Sequence, residues 1–354
     1  MRRSLVLVSL ASSFSVAGYA CSSTHGSGFD ATADGGTGGD ASPFSDGGDN
    51  GDVGTLGDGS HADTSGPGKT ILYAHDNTTL YSVDATDPKL ASTMIGKFDC
   101  IGGTGQATSM TDIAVDKDGK LYGISTKAIY LDMKIAGSTV QCTTGMKAIP
   151  QTGAKVAFYG ASFAPVGTLD PNNETLVVGN TDGELYKVDI TTGNITVINN
   201  FGTVPAATSA NHIKYPGGAW EMSGDIVFLE NNGNPIGFAT VRDCMSPPSS
   251  STCNPTDTLV QIDLAKFAMG PAGNGVTVRG PIVKSSSCTD ATPTYGSMYG
   301  IAAFGDKIIG FSHAGFTVAI SNNDGSACLI AGTQPKWDGA GVTTKAPVIA
   351  PPPR

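Results

Sequence analysis

Basic residues are missing from one long stretch of this sequence. Residues 22–68 contain no lysine or arginine and very few large apolar side chains, and most of them are Gly, Ser, Thr, Ala or Asp. Such a segment cannot bury enough apolar surface to offset the entropy that ordering it costs. We therefore predict a disordered Gly/Asp/Ser-rich tether over residues 21–68, with a root-mean-square length of roughly 35–40 Å.

Catalytic fingerprints are missing as well. There is no phosphate loop, no dinucleotide-binding fingerprint, no Cys-x-x-Cys and no G-x-S-x-G element that would hold a nucleophile. After residue 68 the chain carries 19 basic and 23 acidic residues, and it has no basic patch. A nearly neutral domain of this kind argues against nucleic acid as a partner.

The N-terminus contains the one long apolar run. Arg2 and Arg3 precede an apolar stretch over residues 5–16, and Ala-Gly-Tyr-Ala stands directly before Cys21. This pattern predicts a signal peptide over residues 1–20. No later segment approaches the ~20 apolar residues that a membrane helix needs.

Cys21 resembles the lipid-accepting cysteine of bacterial lipoproteins, although Gly18 stands where that family usually has Leu. The resemblance implies a lipid on Cys21, a membrane partner through that anchor, and a place in the bacterial cell envelope at the outer membrane. Secretion with an unmodified Cys21 is the alternative.

The other six cysteines form an even set, which in an exported chain predicts disulfides. Cys244 and Cys253 flank a Ser- and Pro-rich insertion and are expected to staple it. We further predict that Cys100 pairs with Cys142 and that Cys288 pairs with Cys328. Buried free thiols are the alternative.

Short β-branched and aromatic runs alternate with Asp-Gly, Asn-Gly and Gly-Gly turns from residue 69 onward, which predicts many short antiparallel strands. Five segments align without gaps, with glycine in the second column of four of them and Ala or Ile in the third column of all; they are residues 111–115, 159–163, 217–221, 299–303 and 338–342. Small residues suit the innermost strands of a propeller, where backbones approach closely. We predict second strands at 120–124, 175–179, 226–229 and 307–311.

Third strands end in a recurring motif, seen as LYSVD at residues 80–84 and LYKVDITTG at residues 185–193. These motifs resemble the LYxVD-type repeats (YVTN/NHL-like) of bacterial β-propellers. The first strands after the tether lack an inner strand, and residues 338–343 lack a blade. We therefore predict an all-β, five-bladed β-propeller over residues 69–346, sealed by its C-terminal strand and followed by a Pro-rich tail over residues 347–354. A β-sandwich is the alternative fold, and we expect a monomer.

One end of the predicted propeller carries the turns between second and third strands and the connections between blades, and we expect a ligand there. The residues assigned to this face are His75, Asp76, Tyr159, Asp182, His212, Tyr215, Trp220, Glu230, Tyr295 and His313. Its histidines and carboxylates could hold calcium or another divalent metal, although no H-x-x-x-H or H-E-x-x-H spacing links them. Three dispersed surface histidines, with no cofactor, are the alternative.

The aromatic residues of this face can act in two ways. Their flat rings, which lie beside Asn and Asp, can stack on sugars or anchor a protein loop. Packing between the blades is the alternative. The leading functional hypothesis is a noncatalytic binding module of the cell envelope for a protein or glycan. An exported divalent-metal-dependent hydrolase or lyase and a structural envelope protein are the other two, and no catalytic residue is assigned.

Overall fold

The computed structural model describes residues 69–148, 157–245, 252–290 and 295–351. The predicted signal peptide, the lipid on Cys21 and the tether lie outside these residues. The regular secondary structure of the described residues is almost entirely β, with 21 strands and one helix of six residues. Within this part of the chain, no helix is long and apolar enough to span a membrane.

The strands form five groups along the chain, each built from antiparallel neighbours. Group 1 contains β1 (Ile71–His75), β2 (Thr79–Asp84) and β3 (Ser92–Phe98), and it is joined by the C-terminal strand β21 (Gly339–Gly341); group 2 contains β4 (Met110–Val115), β5 (Leu121–Ser125), β6 (Ala128–Ala136), β7 (Thr139–Gln141) and β8 (Met146–Ala148). Group 3 contains β9 (Phe158–Ala164), β10 (Thr175–Asn180), β11 (Glu184–Val188) and β12 (Ile195–Asn200); group 4 contains β13 (Ala219–Leu229), β14 (Ile236–Cys244), β15 (Thr258–Ile262) and β16 (Val276–Pro281). Group 5 contains β17 (Met298–Phe304), β18 (Lys307–Ser312), β19 (Phe316–Ser321) and β20 (Ala327–Ala331). Helix α1 (Leu264–Met269) follows β15.

The five groups are the blades of a propeller, and the C-terminal strand closes the ring. β21 pairs antiparallel with β1, so that His75 lies opposite Gly339 and Tyr73 opposite Gly341. The inner strands β21, β4, β9, β13 and β17 each contact the next, and β17 contacts β21 again. This topology confirms the predicted five-bladed propeller and its closure through the N-terminal blade.

The inner strand of the fourth blade differs from the prediction. The alignment placed residues 217–221 there and made residues 226–229 the second strand, but β13 runs through both segments as one strand and the second strand is β14. Asp225 accepts a hydrogen bond from Ile301 of the next blade, as Asp112 does from Ala161. The equivalent segment is therefore 224–228, seven residues further along the chain. The alignment erred because Gly217–Gly218 imitates the small-residue columns.

Backbone approach at the axis explains why glycine recurs in the inner strands. A Cβ on Gly300 would lie 2.6 Å from the carbonyl carbon of Gly339 on the neighbouring strand. A Cβ on Gly339 would in turn overlap the side chains of His75 and Asp112. Any side chain at these two positions would push the inner strands apart.

The inner strands cannot pair along the axis, so side chains of the preceding blade accept their N–H groups. Ser162 Oγ accepts from Phe228 N at 3.0 Å, and Asp257 Oδ2 accepts from Met298 N at 2.9 Å. A buried N–H without an acceptor would cost about 1–3 kcal/mol, so these bonds stabilise the ring.

All three predicted cysteine pairs lie at disulfide distance. Their Cα atoms are 5.5 Å apart for Cys100–Cys142, 3.9 Å for Cys244–Cys253 and 5.6 Å for Cys288–Cys328. The first pair joins the outer edges of blades 1 and 2, where β3 and β7 also pair in parallel. Blades 1 and 2 thus share one continuous sheet.

Candidate functional site at the upper mouth

The propeller axis has two ends. All inner strands run in the same direction, and we call the end where they begin the upper mouth and the end where they finish the lower mouth. The turns from second to third strands, which hold Asp76, Asp182 and His313, open on the upper mouth. This placement agrees with the topology from which the ligand-binding face was predicted.

The chain's own C-terminal segment covers the lower mouth. After β21, residues 343–349 contact four blades in turn. Thr343 forms a bridge with Val115, and the carbonyl of Thr344 accepts from Glu230 N at 2.9 Å. The Thr344 hydroxyl donates to Glu174, and Gly305 forms a bridge with Val348. A cleft of ≈ 170 Å³ lies beside this segment, between Lys117, Glu230 and Lys345.

A carboxylate and a guanidinium meet on one side of the upper mouth. Glu221 on β13 lies opposite Arg242 on β14, and Arg242 Nε donates to Asp257 Oδ1 at 2.7 Å. Asp257 is fully buried, and a buried carboxylate needs a partner, which here is Arg242. Burial raises the pKa of Glu221, and Asp182 and Asp257 raise it further, while Arg242 opposes the shift.

Glu221 lacks a conventional donor among the described residues. Its Oε2 lies 2.8 Å from Cys253 Sγ and 3.5 Å from Cys244 Sγ, but a disulfide sulfur has no proton to give. A half-buried carboxyl group with a free oxygen favours a ligand that brings an N–H or O–H donor.

An imidazole, a carboxylate and a phenol meet next to this pair at the upper mouth. His313 Nδ1 lies 3.0 Å from Asp338 Oδ1, and the ring of Tyr299 lies 5.0 Å from the ring of His313 at an angle of 31°. Burial raises the pKa of Tyr299, which Arg242 of blade 4 opposes; burial also raises the pKa of Asp338, and His313 partly offsets that shift. Tyr159 on the inner strand of blade 3 is 37% exposed and interacts electrostatically with Tyr299.

Asp76 and Asp182 lie on this end but differ in availability. Asp76 accepts hydrogen bonds from the N–H groups of Thr78 and Thr79, both at 2.8 Å, and from the Tyr81 hydroxyl at 3.0 Å. It therefore shapes its turn. Asp182 is exposed and lies near Glu221, whose pKa it raises.

Three buried ionisable groups lie directly below the mouth, on the axis. Asp112, Asp225 and His75 have no exposed surface, and the two carboxyl groups are close enough to interact. Burial raises the pKa of both aspartates, that of Asp225 to about 8, and lowers the pKa of His75 to about 4. His75 therefore belongs to the interior of the axis, beneath the ligand-binding face.

The remaining predicted residues lie elsewhere. Trp220 and Tyr295 are almost completely buried, as the packing alternative expects, because each fills space between sheets. Glu230 lies at the lower mouth, since it follows the inner strand β13 and not a second strand. His212 is exposed and Tyr215 half-buried on the connection into blade 4, where Asp243 accepts from Tyr215 N at 2.8 Å.

The three histidines do not come together as metal ligands. Within the described ranges, the groups of His, Cys, Asp and Glu that converge within 4.8 Å are Asp99 with Cys100 and Cys142, and Glu221 with Cys244 and Cys253. Both groups contain a disulfide, and a cysteine sulfur binds a metal as a free thiolate. A divalent metal at the ligand-binding face stays a prediction, and the described residues of that face do not converge as its ligands.

Sequence reasoning missed Arg242, Asp257 and Asp338 as parts of the mouth. Arg242 escaped because the misplaced second strand of blade 4 left residues 236–244 in a loop. Asp225 escaped for the same reason. The available signal was Gly224-Asp225-Ile226, which matches Thr111-Asp112-Ile113 more closely than Gly217-Gly218-Ala219 does.

Comparisons with known proteins give the setting of this fold. No protein-family model matches the sequence, and no curated protein does. Similar solved structures include a protein of unknown function from Bacteroides caccae, with 8% identity, coverage of 77% of this chain and 98% of that one, and a TM-score of 0.36. Another protein of unknown function, from Bacteroides thetaiotaomicron, has 15% identity, coverage of 69% and 54%, and a TM-score of 0.36.

The Dos1 propeller is also similar, with 10% identity, coverage of 73% of this chain and 54% of that one, and a TM-score of 0.33. This chain thus spans about half the length of the last two proteins. TM-scores below 0.5 assign no function, and the five-bladed topology rests on the strand pairing described above. The resemblance to LYxVD-type repeats stays a prediction.

Proposed function

We propose that this protein is a noncatalytic binding module whose upper mouth holds a glycan without acidic groups. The observation that carries the proposal is Glu221, a half-buried carboxyl group that has no N–H or O–H partner among the described residues. Sugar hydroxyl or amino groups supply such donors in numbers. A protein loop that ends in a basic side chain is the competing ligand.

The other groups of the mouth suit the same ligand. Tyr159 offers an exposed ring for stacking on a sugar face, and Asp182 offers a second acceptor beside Glu221. Glu221 and Asp182 give the mouth negative charge, and Arg242 does not offset it because Arg242 is paired with Asp257. Acidic sugars would be repelled there.

The sequence supports an envelope location for this module. A lipid on Cys21 and a tether of roughly 35–40 Å would hold the propeller clear of a membrane surface. We propose this arrangement on the N-terminal sequence pattern alone. Mass spectrometry of the N-terminus tests it, since a mature chain that begins at Cys21 with an acyl mass supports the anchor and one without that mass removes it.

A second candidate function is a glycoside hydrolase without a metal. It is favoured by Glu221 beside Asp182, because two carboxyl groups that flank a bound sugar can serve as acid and base, and burial raises the pKa of Glu221 in the direction that a general acid needs. This candidate uses the same mouth and differs in whether the bound glycan is cleaved.

The decisive experiment titrates full-length protein against a panel of neutral, amino and acidic oligosaccharides. Glu221→Gln should weaken binding of the tightest oligosaccharide about tenfold to hundredfold, because a hydrogen bond to a charged group is lost. Tyr159→Ala should weaken it as well. Glu230→Gln at the lower mouth is the matched control and should leave binding unchanged.

Three results would contradict the proposal. Equal affinity of wild type and Glu221→Gln would show that this carboxyl group does not contact the ligand. Binding only of basic peptides would indicate that the ligand is a protein loop and not a glycan. Turnover by wild type that Glu221→Gln abolishes, with binding retained, would establish the hydrolase in place of the binding module.

A further inference from the structure

The axis contains two buried aspartates that no lysine or arginine of the described residues pairs with. Asp112 comes from blade 2 and Asp225 from blade 4, and their carboxyl groups interact across blade 3 with no exposed surface. Two negative charges so placed in a buried interior would repel each other strongly. A hydrogen bond between two carboxyl groups also requires a proton on one of them.

Each carboxyl group joins two blades. Asp112 Oδ2 accepts from Ala161 N of blade 3, and Asp225 Oδ2 accepts from Ile301 N of blade 5 at 2.9 Å. The pair therefore links the inner strands of four successive blades through one contact. Separation of the two carboxyl groups would loosen all four strands.

A third ionisable side chain, His75, lies beside the pair. From β1, His75 places Nε2 3.9 Å from Asp112 Oδ1, and its Nδ1 donates to the carbonyl of Asp76 at 2.9 Å. That tautomer leaves Nε2 as a bare acceptor, and among the described residues neither Nε2 nor Asp112 Oδ1 has a hydrogen-bond partner. The backbone N–H groups of Ala161 on β9 and Ile301 on β17 face the pair, and Gly339 of β21 packs against Asp112.

We propose that a proton held between Asp112 and Asp225 locks the propeller axis, and that its loss at alkaline pH loosens the ring. His75 does not replace it, because burial lowers the pKa of the ring to about 4 and its Nε2 lies 3.9 Å from Asp112 Oδ1, beyond hydrogen-bond distance. The proton is thus a structural component of the fold. This proposal is independent of the ligand at the upper mouth.

The proposal fixes how stability depends on pH. Unfolded aspartates ionise near pH 3.9, whereas burial raises the pKa of Asp225 to about 8 and that of Asp112 well above its usual range. The folded pair therefore keeps protons that the unfolded chain has lost, and the folding constant should fall at least tenfold for each pH unit. Between about pH 4 and 6.5 the unfolded chain takes up a proton on His75, which opposes this trend. The loss of stability should therefore be steepest between about pH 6.5 and 8.

The test measures urea unfolding of the full chain from pH 5 to 9. Wild type should lose stability above pH 6.5, and the double variant Asp112→Asn/Asp225→Asn should lose the corresponding slope, because an amide N–H replaces the acid proton at all pH values. Asp243→Asn is the control. Asp243 is also buried and accepts from Lys214 N and Tyr215 N away from the axis, so that variant should be weaker but keep the wild-type slope.

Two further measurements keep the test decisive if the double variant does not fold. The infrared carbonyl band of a protonated carboxylic acid should be present in wild type at pH 7 and weaken as the pH rises through 8. Exchange of sodium or potassium for choline at constant ionic strength should not change stability. A pH-independent wild type, absence of the acid band, or dependence on the cation would overturn the proposal, the last because an ion would then neutralise the pair.

Discussion

The two mouths of the propeller differ in how their polar groups are used. At the lower mouth, Glu174 accepts from Thr344 and from Lys117 N, and Glu230 pairs with Lys345. At the upper mouth, Glu221 lies against disulfide sulfurs and has no N–H or O–H donor among the described residues. The lower mouth is closed by the chain itself, whereas the upper mouth has acceptors left for another molecule.

The comparison teaches that charge alone does not mark a binding site. Both mouths contain carboxylates with pKa values raised by burial, Glu174 below and Glu221 above. Only the lower one has its hydrogen bonds completed within the chain. Unfinished hydrogen bonding therefore distinguishes the proposed site.

Removal of residues 337–354 should break the comparison most severely. The truncated chain loses β21, the buried ring of Trp337 and the cover of the lower mouth. Blade 1 would then expose an unpaired inner edge, so we expect an aggregating protein without a cooperative unfolding transition. Size-exclusion chromatography and thermal unfolding measure this. Removal of residues 352–354 alone is the control and should leave a folded monomer.

Gly339→Val should cost about 3 kcal/mol of unfolding free energy, because its side chain would overlap His75 and Asp112 below the upper mouth. Gly332→Ala is the matched control, since a Cβ there meets only Leu329 at 3.7 Å, and it should change stability by less than about 0.5 kcal/mol. Urea unfolding compares them. Equal losses would show that the axis is not tightly packed.

Replacement of Cys244 and Cys253 by serine should cost about 2–3 kcal/mol, in line with the short loop that the disulfide closes. It should also weaken binding of the oligosaccharide, because the disulfide packs against the carboxyl group of Glu221. Replacement of Cys100 and Cys142 should cost more stability, since that loop is longer, yet leave affinity unchanged. Calorimetric titration and urea unfolding separate the two effects, and equal loss of affinity in both pairs would argue against the upper site.

Lys345→Met should have the smallest effect. Lys345 is exposed and pairs with Glu230 at the lower mouth, and such ion pairs are worth about 0–1 kcal/mol. We expect a change within that range by urea unfolding and no change in oligosaccharide affinity. A clear loss of affinity would indicate that the oligosaccharide binds at the lower mouth.

The fold was predictable because its signals are local. Small residues mark the inner columns, turn motifs bound the strands, and cysteine parity indicates three pairs. The fourth blade was misread where a Gly-Gly dipeptide lies seven residues before the true column. That slip concealed Arg242 and transferred Glu230 to the wrong end.

The site was less predictable because it depends on which hydrogen bonds are already made. His75 and Asp76 are adjacent in sequence, yet one is buried on the axis and the other completes a turn. The Asp112–Asp225 contact joins residues 113 positions apart, and no spacing rule connects them. Such contacts exist only after the ring has closed.

Carboxyl footprinting tests the central contrast most directly. Full-length protein is labelled with a carbodiimide and an amine, with and without the oligosaccharide that binds tightest, and modified residues are quantified by mass spectrometry. Glu221 and Asp182 should be protected by the oligosaccharide, while labelling of Glu230 stays unchanged. Protection of Glu230 with Glu221 unaffected would contradict the assignment of the binding site to the upper mouth.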